Sequence, residues 1–197
     1  MKAIVLDMYG VIVRQTGDDF APYVLKTFPN LTTEAIHAPW FRADIGELTS
    51  LEVWAALGFG GDLEAVERAY LDTIELNPGF YEFAAAARKR VKLAILSNDS
   101  SRWSAYLREK FGLNQYFDAV SISGDLKMQK PDARIYTLAA ERLGCRAEDC
   151  VYVDDREGNL TAAAALGMRP VLFGSRNGVY EGETADGFAR LADLLLR

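Results

Sequence analysis

Short hydrophobic runs that end in polar residues alternate with helix-like segments along most of this 197-residue chain. We predict that the runs are strands over 2–6, 91–96, 119–122, 151–153 and 170–173. Strands separated by helices form parallel sheets that are covered on both faces, and right-handed crossovers make the sheet doubly wound. The sequence therefore predicts an α/β fold with a Rossmann-like core.

The stretch between the first two strands lacks strong strand signals and is predicted to be helical. Amphipathic patterns with capping residues place helices near 20–27, 33–44, 50–57 and 63–76. We therefore predict a core domain over 1–15 and 78–197, and a small helical-bundle cap over 16–77 inserted after the first strand. A last helix is predicted near 185–195.

Polar residues lie at the carboxyl ends of four predicted strands. In chain order they are Asp7, then Ser97 and Asn98, then Lys130 in a loop, and finally Asp154 with Asp155. Ligands of open parallel sheets bind at this edge. A single acid at a strand end usually caps a helix or lies in a solvated turn. Four strands that each place a polar group at one edge instead predict a functional site there.

The chemistry of these groups favours phosphoryl transfer. Three carboxylates at one edge would repel one another, and Mg²⁺ would remove that conflict. Lys130 adds a positive charge, and the Ser97 hydroxyl with backbone N–H groups near Asn98 can hold phosphate oxygens. Because His37 is the only histidine, a serine–histidine pair is hard to build, so a carboxylate is the expected nucleophile.

Composition excludes several other classes of protein. The net charge is −6 and the sequence has no basic stripe, so it offers no positively charged surface for nucleic acid. Two cysteines are too few for a disulfide framework or a zinc site. No apolar run approaches the roughly 20 residues that cross a bilayer, and no signal peptide is seen. We expect a cytoplasmic protein with no membrane partner.

Four motifs, in order, resemble those of the haloacid dehalogenase-like hydrolases. They are Asp7-Met8-Tyr9-Gly10-Val11, Leu96-Ser97-Asn98, Lys130-Pro131-Asp132 and Val153-Asp154-Asp155. The longer runs around Lys130 and Asp154 are similar to a branch that contains bacterial sugar-1-phosphate phosphatases and lies close to the N-terminal phosphatase domains of epoxide hydrolases. The resemblance covers nearly the whole chain and implies that the helical insertion is a C1-type cap.

This resemblance implies a Mg²⁺-dependent phosphatase for a small phosphorylated metabolite such as a sugar phosphate. Asp7 would attack phosphorus and form an aspartyl-phosphate. The implied metal ligands are Asp7, the backbone carbonyl of Tyr9, Asp155 and, directly or through a neighbour, Asp154. The implied substrate contacts are Ser97, Asn98, Lys130 and Tyr9, of which Ser97 would bond the phosphoryl group and Lys130 would stabilise Asp7 and phosphate.

Tyr9 departs from the phosphatase pattern. In that family an aspartate at this position protonates the leaving oxygen and then activates water. Tyrosine, with a reference pKa of about 10, is a poor base near neutrality. Since general acid–base catalysis contributes about 10²–10⁴-fold, we expect slow turnover, or an acid supplied by the cap.

Two alternatives remain open at this point. The pattern D-x-Y-G is typical of 2-haloacid dehalogenases, which need no metal, but those enzymes carry Ser or Asn where this chain has Asp154 and Asp155. A weakly active or non-catalytic phosphate-binding protein is the other alternative. Within the predicted cap, Arg42 is a candidate for binding a second anionic group of the substrate, and Asp44 lies beside it in sequence.

Overall fold

The computed structural model describes residues 1–15, 20–174 and 180–197. Its strands are β1 (Ala3–Leu6), β2 (Val13–Gln15), β3 (Ile74–Leu76), β4 (Lys92–Ser97), β5 (Ala119–Ile122), β6 (Cys150–Asp154), β7 (Arg169–Phe173) and β8 (Glu183–Ala185). Its α-helices are α1 (Phe20–Thr27), α2 (Thr33–Asp44), α3 (Ser50–Ala56), α4 (Leu63–Asp72), α5 (Phe80–Ala87), α6 (Ser101–Lys110), α7 (Ser123–Leu126), α8 (Ala133–Arg142), α9 (Glu157–Ala165) and α10 (Phe188–Leu195).

Six parallel strands form the central sheet in the order β5-β4-β1-β6-β7-β8. The side chains of β1 alternate between two hydrophobic cores. Ile4 and Leu6 pack in the core that includes residues of α5 and α10, whereas Ala3 and Val5 pack with residues of α8 and α9. Helices thus cover both faces, and the predicted doubly wound α/β fold is confirmed.

The strand order reverses beside β1. From β1 the chain moves outward to β4 and β5, then returns to β6 on the other side of β1 and moves outward to β7 and β8. The crevice between the ends of β1 and β6 is therefore a topological switch point, which is where such sheets bind ligands. Asp7 follows β1 directly, and Asp154 ends β6.

Helices α1–α4 form the helical insertion (residues 20–72), which packs around a cluster of aromatic rings. The Phe20 ring lies 5.3 Å from Trp54, 5.4 Å from Tyr70 and 5.3 Å from Trp103, a residue of α6. Offset and edge-to-face pairs of this kind stabilise beyond their buried area. The insertion is therefore joined to the sheet domain through a shared apolar interface as well as through the chain.

The predicted helix over 63–76 is wrong in its last turn. Helix α4 ends at Asp72, and the Thr73 amide closes it by bonding to the Tyr70 carbonyl. Ile74 and Leu76 then belong to β3, which pairs antiparallel with β2. A strand pair thus connects both ends of the insertion to the core, where the sequence predicted no strand.

The predicted final helix also begins too early. Residues 183–185 form β8 beside β7, and α10 starts at Phe188. Residues 16–19, which contain the predicted first residues of the cap, lie outside the described residues. Among the residues that are described, no helix is long and apolar enough to cross a membrane.

Candidate active site

Asp7 lies at the switch point with its carboxylate buried. Its backbone amide donates to the carbonyl of Val153 on β6 (2.9 Å), which extends the sheet pairing one residue beyond β1. The Met8 amide donates to Asp7 Oδ1 (2.7 Å), and Lys130 Nζ lies 2.8 Å from the same oxygen. The backbone and one lysine therefore fix this carboxylate in position.

Asp154 is the most heavily bonded carboxylate of the site. Its oxygens accept hydrogen bonds from Lys130 Nζ (2.9 Å), the Arg156 amide (2.8 Å), Asn159 Nδ2 (3.0 and 3.1 Å) and the Tyr152 hydroxyl. Burial alone would raise the pKa of Asp154, but Lys130 and these hydrogen bonds lower it below its usual value. Asp154 is therefore held as an anion.

Lys130 bridges Asp7 and Asp154 from a loop that Asn98 holds in place. Asn98 Oδ1 accepts from the Lys130 amide (2.8 Å), and Asn98 Nδ2 donates to the Lys130 carbonyl (3.0 Å). The Asn98 side chain thus positions the lysine, and a substrate contact by the nearby backbone stays a prediction. Burial lowers the pKa of Lys130, but Asp7 and Asp154 raise it above its usual value, so the lysine is charged.

Asp155 completes a cluster of three buried carboxylates. One oxygen each of Asp7, Asp154 and Asp155 lies within 4.8 Å of the others. Gly10 makes this approach possible, because a Cβ atom there would lie 2.4 Å from Asp155 Oδ2. Gly10 also has a φ of +81°, which favours glycine. Three buried oxygen donors match what a hard divalent cation such as Mg²⁺ prefers.

The balance of charge in this cluster also fits a cation. Burial, together with the charges of Asp154 and Asp155, raises the pKa of Asp7 to about 8, although Lys130 opposes this rise. A nucleophilic Asp7 has to be ionised at neutral pH. A divalent cation held by the three carboxylates would favour that ionised form.

Two hydroxyl groups are buried near these carboxylates without a hydrogen-bond partner among the described residues. Ser97 Oγ lies at the end of β4, as the sequence predicted, and is available to bond a substrate oxygen. Tyr136 Oη is the other, and its ring packs against Tyr152 with centroids 5.3 Å apart. Tyr136 was missing from the predicted site because its place on α8 looks like ordinary packing.

The Tyr9 side chain is directed toward the insertion. Its buried hydroxyl has no partner within hydrogen-bonding distance in the described structure, and its electrostatic neighbours are Asp99, Tyr70 and Asp44. Burial raises the pKa of Tyr9 well above its usual value, and Asp99 raises it further. Tyr9 is therefore neutral and cannot act as a base. A metal contact through its backbone carbonyl and a substrate contact both stay predictions.

Arg42 lies at the surface near the end of α2. Its side chain is more than half exposed and pairs with Glu47 at 3.1 Å. Asp44, two residues later, is instead buried at the interface between the insertion and the sheet domain. The anion-binding role of Arg42 stays a prediction.

Sequence comparison agrees with the fold. The haloacid dehalogenase-like hydrolase family matches residues 1–167. This match spans most of the chain, including all four motifs and the carboxylate cluster. The chain belongs to the haloacid dehalogenase-like hydrolase family.

Individual relatives carry different activities. A phosphorylated carbohydrates phosphatase from Thermotoga maritima is 27% identical over 87% of this chain and 84% of its own length. An (S)-2-haloacid dehalogenase from Pseudomonas putida is 25% identical over 92% of this chain and 88% of its own length. A drimenol cyclase from Aspergillus calidoustus is 27% identical over 91% of this chain, which spans only 35% of the cyclase.

A solved structure shares the whole fold. A haloacid dehalogenase family enzyme from Bacteroides thetaiotaomicron, in complex with magnesium and inorganic phosphate, superimposes with a TM-score of 0.75. The alignment covers 92% of this chain and 98% of that one at 18% identity. At this level of identity the likeness shows the fold alone.

Proposed function

We propose that this protein is a Mg²⁺-dependent phosphatase that hydrolyses a small phosphorylated metabolite, such as a sugar phosphate, in the cytoplasm. The observation that carries the proposal is the buried cluster of Asp7, Asp154 and Asp155, joined by Lys130 at the switch point of the sheet. Phosphoryl transfer depends on positioning and on charge stabilisation, which these groups supply.

Each residue has a distinct role in this proposal. Asp7 attacks phosphorus, Lys130 neutralises charge on Asp7 and the phosphoryl group, and Ser97 Oγ donates to a phosphoryl oxygen. Asp154, Asp155 and the Tyr9 carbonyl, together with Asp7, hold Mg²⁺. When bound, the ion supplies positive charge that stabilises the phosphoryl oxygens in the transition state. The helical insertion acts as a cap over this edge of the sheet.

Relatives support the substrate class. The Thermotoga protein is named as a phosphatase of phosphorylated carbohydrates, and a relative from Escherichia coli that is 32% identical over 55% of this chain is named as a fructose-1-phosphate phosphatase. An insertion that caps this edge of the sheet would exclude a macromolecular substrate. A small phosphate ester is therefore the favoured substrate class.

Dehalogenation of a 2-haloacid is the second candidate, favoured by Tyr9 and by the dehalogenase relative. It has less support, because the charge of Asp154 and Asp155 beside Asp7 would repel an anionic haloacid. A metal ion at the carboxylates would have no part in that reaction.

One set of assays separates the candidates. We expect hydrolysis of 4-nitrophenyl phosphate that is lost on addition of EDTA, restored by Mg²⁺ and absent in Asp7→Asn. The matched control is Asp149→Asn, which alters an acid paired with Lys2 on the surface and should retain activity. Halide release from 2-chloropropionate in EDTA, without phosphatase activity, would contradict the proposal and support dehalogenation.

A further inference from the structure

Tyr152 connects the buried core to the carboxylate edge of the sheet. It lies two residues before Asp154 on β6, so both side chains point to the same face of the sheet. The Tyr152 ring is fully buried in the core that includes residues of α8 and α9. Its hydroxyl reaches the edge and donates to Asp154 Oδ2. A residue of the buried face therefore contacts the group of charges that contains the proposed nucleophile.

The oxygen that Tyr152 bonds also binds Lys130. Asp154 Oδ2 accepts from Lys130 Nζ at 2.9 Å and from Asn159 Nδ2 at 3.0 Å, in addition to the Tyr152 hydroxyl. Lys130 Nζ in turn lies 2.8 Å from Asp7 Oδ1. Only Asp154 and Lys130 therefore separate the Tyr152 hydroxyl from the carboxylate that attacks phosphorus in the proposed reaction.

The ring of Tyr152 contacts Lys130 as well. Lys130 Nζ lies 5.9 Å from the ring centroid, within the range in which an aromatic face attracts a cation. Tyr136, on α8, packs edge-on against the same ring, with centroids 5.3 Å apart and planes at 87°. This packing fixes the ring and, with it, the direction of the hydroxyl. Tyr152 therefore contacts both members of the ion pair between Lys130 and Asp154 from a rigid support.

The hydroxyl changes how strongly Asp154 attracts Lys130. An ammonium group has three N–H donors, and here Asp7 and Asp154 compete for them. A hydrogen bond to a carboxylate offsets part of its negative charge, so the donor on Oδ2 weakens the attraction of Asp154 for the ammonium. Without the hydroxyl, Asp154 would draw Lys130 away from Asp7 and from a phosphoryl group bound there. The contact thus favours the position of Lys130 that phosphoryl transfer needs.

We propose that Tyr152 is a positioning residue for phosphoryl transfer, acting through Lys130. Its hydroxyl restrains Asp154 and its ring supports the ammonium, so that Lys130 stays within reach of Asp7 and of the transferring group. This role rests on the proposed phosphatase function, and Tyr152 performs it without touching the substrate. Groups that orient the residues of a metal site typically change activity by about 10–100-fold when they are removed.

Removal of a single oxygen atom tests this role. Tyr152→Phe deletes the hydroxyl but keeps the ring that packs against Tyr136. With 4-nitrophenyl phosphate and Mg²⁺, we expect the first-turnover rate at saturating substrate to fall by about 10-fold. The half-saturating concentration should change by less than about twofold, because Lys130 acts mainly on charge that develops in the transition state. The matched control Tyr106→Phe removes a hydroxyl that bonds Asp72 at 2.6 Å and should leave both quantities unchanged.

A second background shows whether Tyr152 acts through Lys130. Lys130→Arg keeps a positive charge but changes its shape and position, so the ammonium that Tyr152 restrains is gone. The first-turnover rate should fall in Lys130→Arg, and adding Tyr152→Phe should then lower it by less than about twofold. Two residues that act independently would instead give losses that multiply.

The outcomes separate the role of Tyr152 from the phosphatase function. An unchanged first-turnover rate in Tyr152→Phe, an equal loss in Tyr106→Phe, or a loss as large in the Lys130→Arg background as in the wild type would overturn the role of Tyr152 and leave the phosphatase function intact. A wild-type protein that does not hydrolyse 4-nitrophenyl phosphate would instead contradict the phosphatase function itself.

Discussion

Two clusters of buried aspartates among the described residues differ in how many hydrogen bonds they receive. The edge cluster consists of Asp7, Asp154 and Asp155 with Lys130. The interface cluster consists of Asp44 and Asp99 with the Tyr9 hydroxyl, and both Asp99 oxygens, one Asp44 oxygen and the hydroxyl lack hydrogen-bond partners within the described residues. Burial is similar in the two clusters, so the available partners decide the charge.

This difference divides the chemistry. Asp154, with lysine, amide and phenol donors, keeps a lowered pKa, whereas burial raises the pKa of Asp99 well above its usual value, with Asp44 raising it further. Asp154 is therefore an anion that suits a cation, whereas Asp99 retains its proton. Asp7 and Asp44, with pKa values raised to about 8 and about 7, lie between these two extremes.

Removing Lys130 from the edge cluster should have the largest effect on stability. Lys130→Met leaves Asp7 and Asp154 buried without their shared cation, and the loss of one partner of a buried pair costs about 3–5 kcal/mol. We expect urea unfolding to show a loss of that size. The control Lys2→Met removes a pair in which the lysine is 65% exposed, and a loss there as large as in Lys130→Met would contradict this account.

The interface cluster should respond to pH in the opposite sense to an ordinary salt-bridged acid. Because the pKa of Asp44 rises from about 4 when unfolded to about 7 when folded, folding retains a proton, so stability falls as pH rises from 4 to 7. Asp44→Asn removes this term. Between pH 4 and pH 7, the free energy of unfolding of the wild type should therefore fall by on the order of 3 kcal/mol more than that of the variant. Parallel pH profiles of the two proteins would show that Asp44 is ionised throughout.

Restoring an aspartate at position 9 sharpens the comparison. Tyr9→Asp places a carboxyl group where the phosphatase pattern has its acid and base. We expect steady-state hydrolysis of phenyl phosphate to rise by about 10²-fold relative to the wild type. No rise in a folded variant would show that Tyr9 does not limit turnover.

The smallest expected effect comes from the polar anchor of the insertion. Lys110 Nζ donates to the carbonyls of Leu71 (3.0 Å) and Asp72 (3.0 Å) at the end of α4, and to that of Ile74 (2.9 Å) at the start of β3. Lys110→Met should cost about 1–2 kcal/mol in urea unfolding. The control Lys89→Met changes an exposed lysine and should be neutral, and Mg²⁺ binding at the edge cluster should be unchanged in both variants.

The edge cluster was predictable from sequence because its signals are local. Each carboxylate directly follows or ends a hydrophobic run, Lys130 lies in the loop beyond the third run, and the parallel topology that such runs predict brings their ends together. The fold class and five of the six described parallel strands follow the same logic, whereas β8 was not predicted and its last residue, Ala185, was placed in the final helix. The side chains of β1 alternate between two cores, and this alternation was predictable because helices were expected on both faces of the sheet.

The interface cluster was not predictable in this way. Asp44 and Asp99 are 55 positions apart, and no local pattern indicates that the end of α2 packs against the loop after β4. In sequence Asp44 looks like a solvated helix end. The pair of β2 and β3 was missed for the same reason, since each strand has three residues and its partner lies about 60 positions away.

The pairing of β2 with β3 also bears on how such a protein can change over time. Gln15 and Ile74 are partners in this ladder, so the two ends of the intervening segment lie about 5 Å apart. A short turn, or a different set of helices, can join the same two points without altering the order of the central strands. The segment can therefore be exchanged during evolution while the buried cluster of Asp7, Asp154 and Asp155 stays in place.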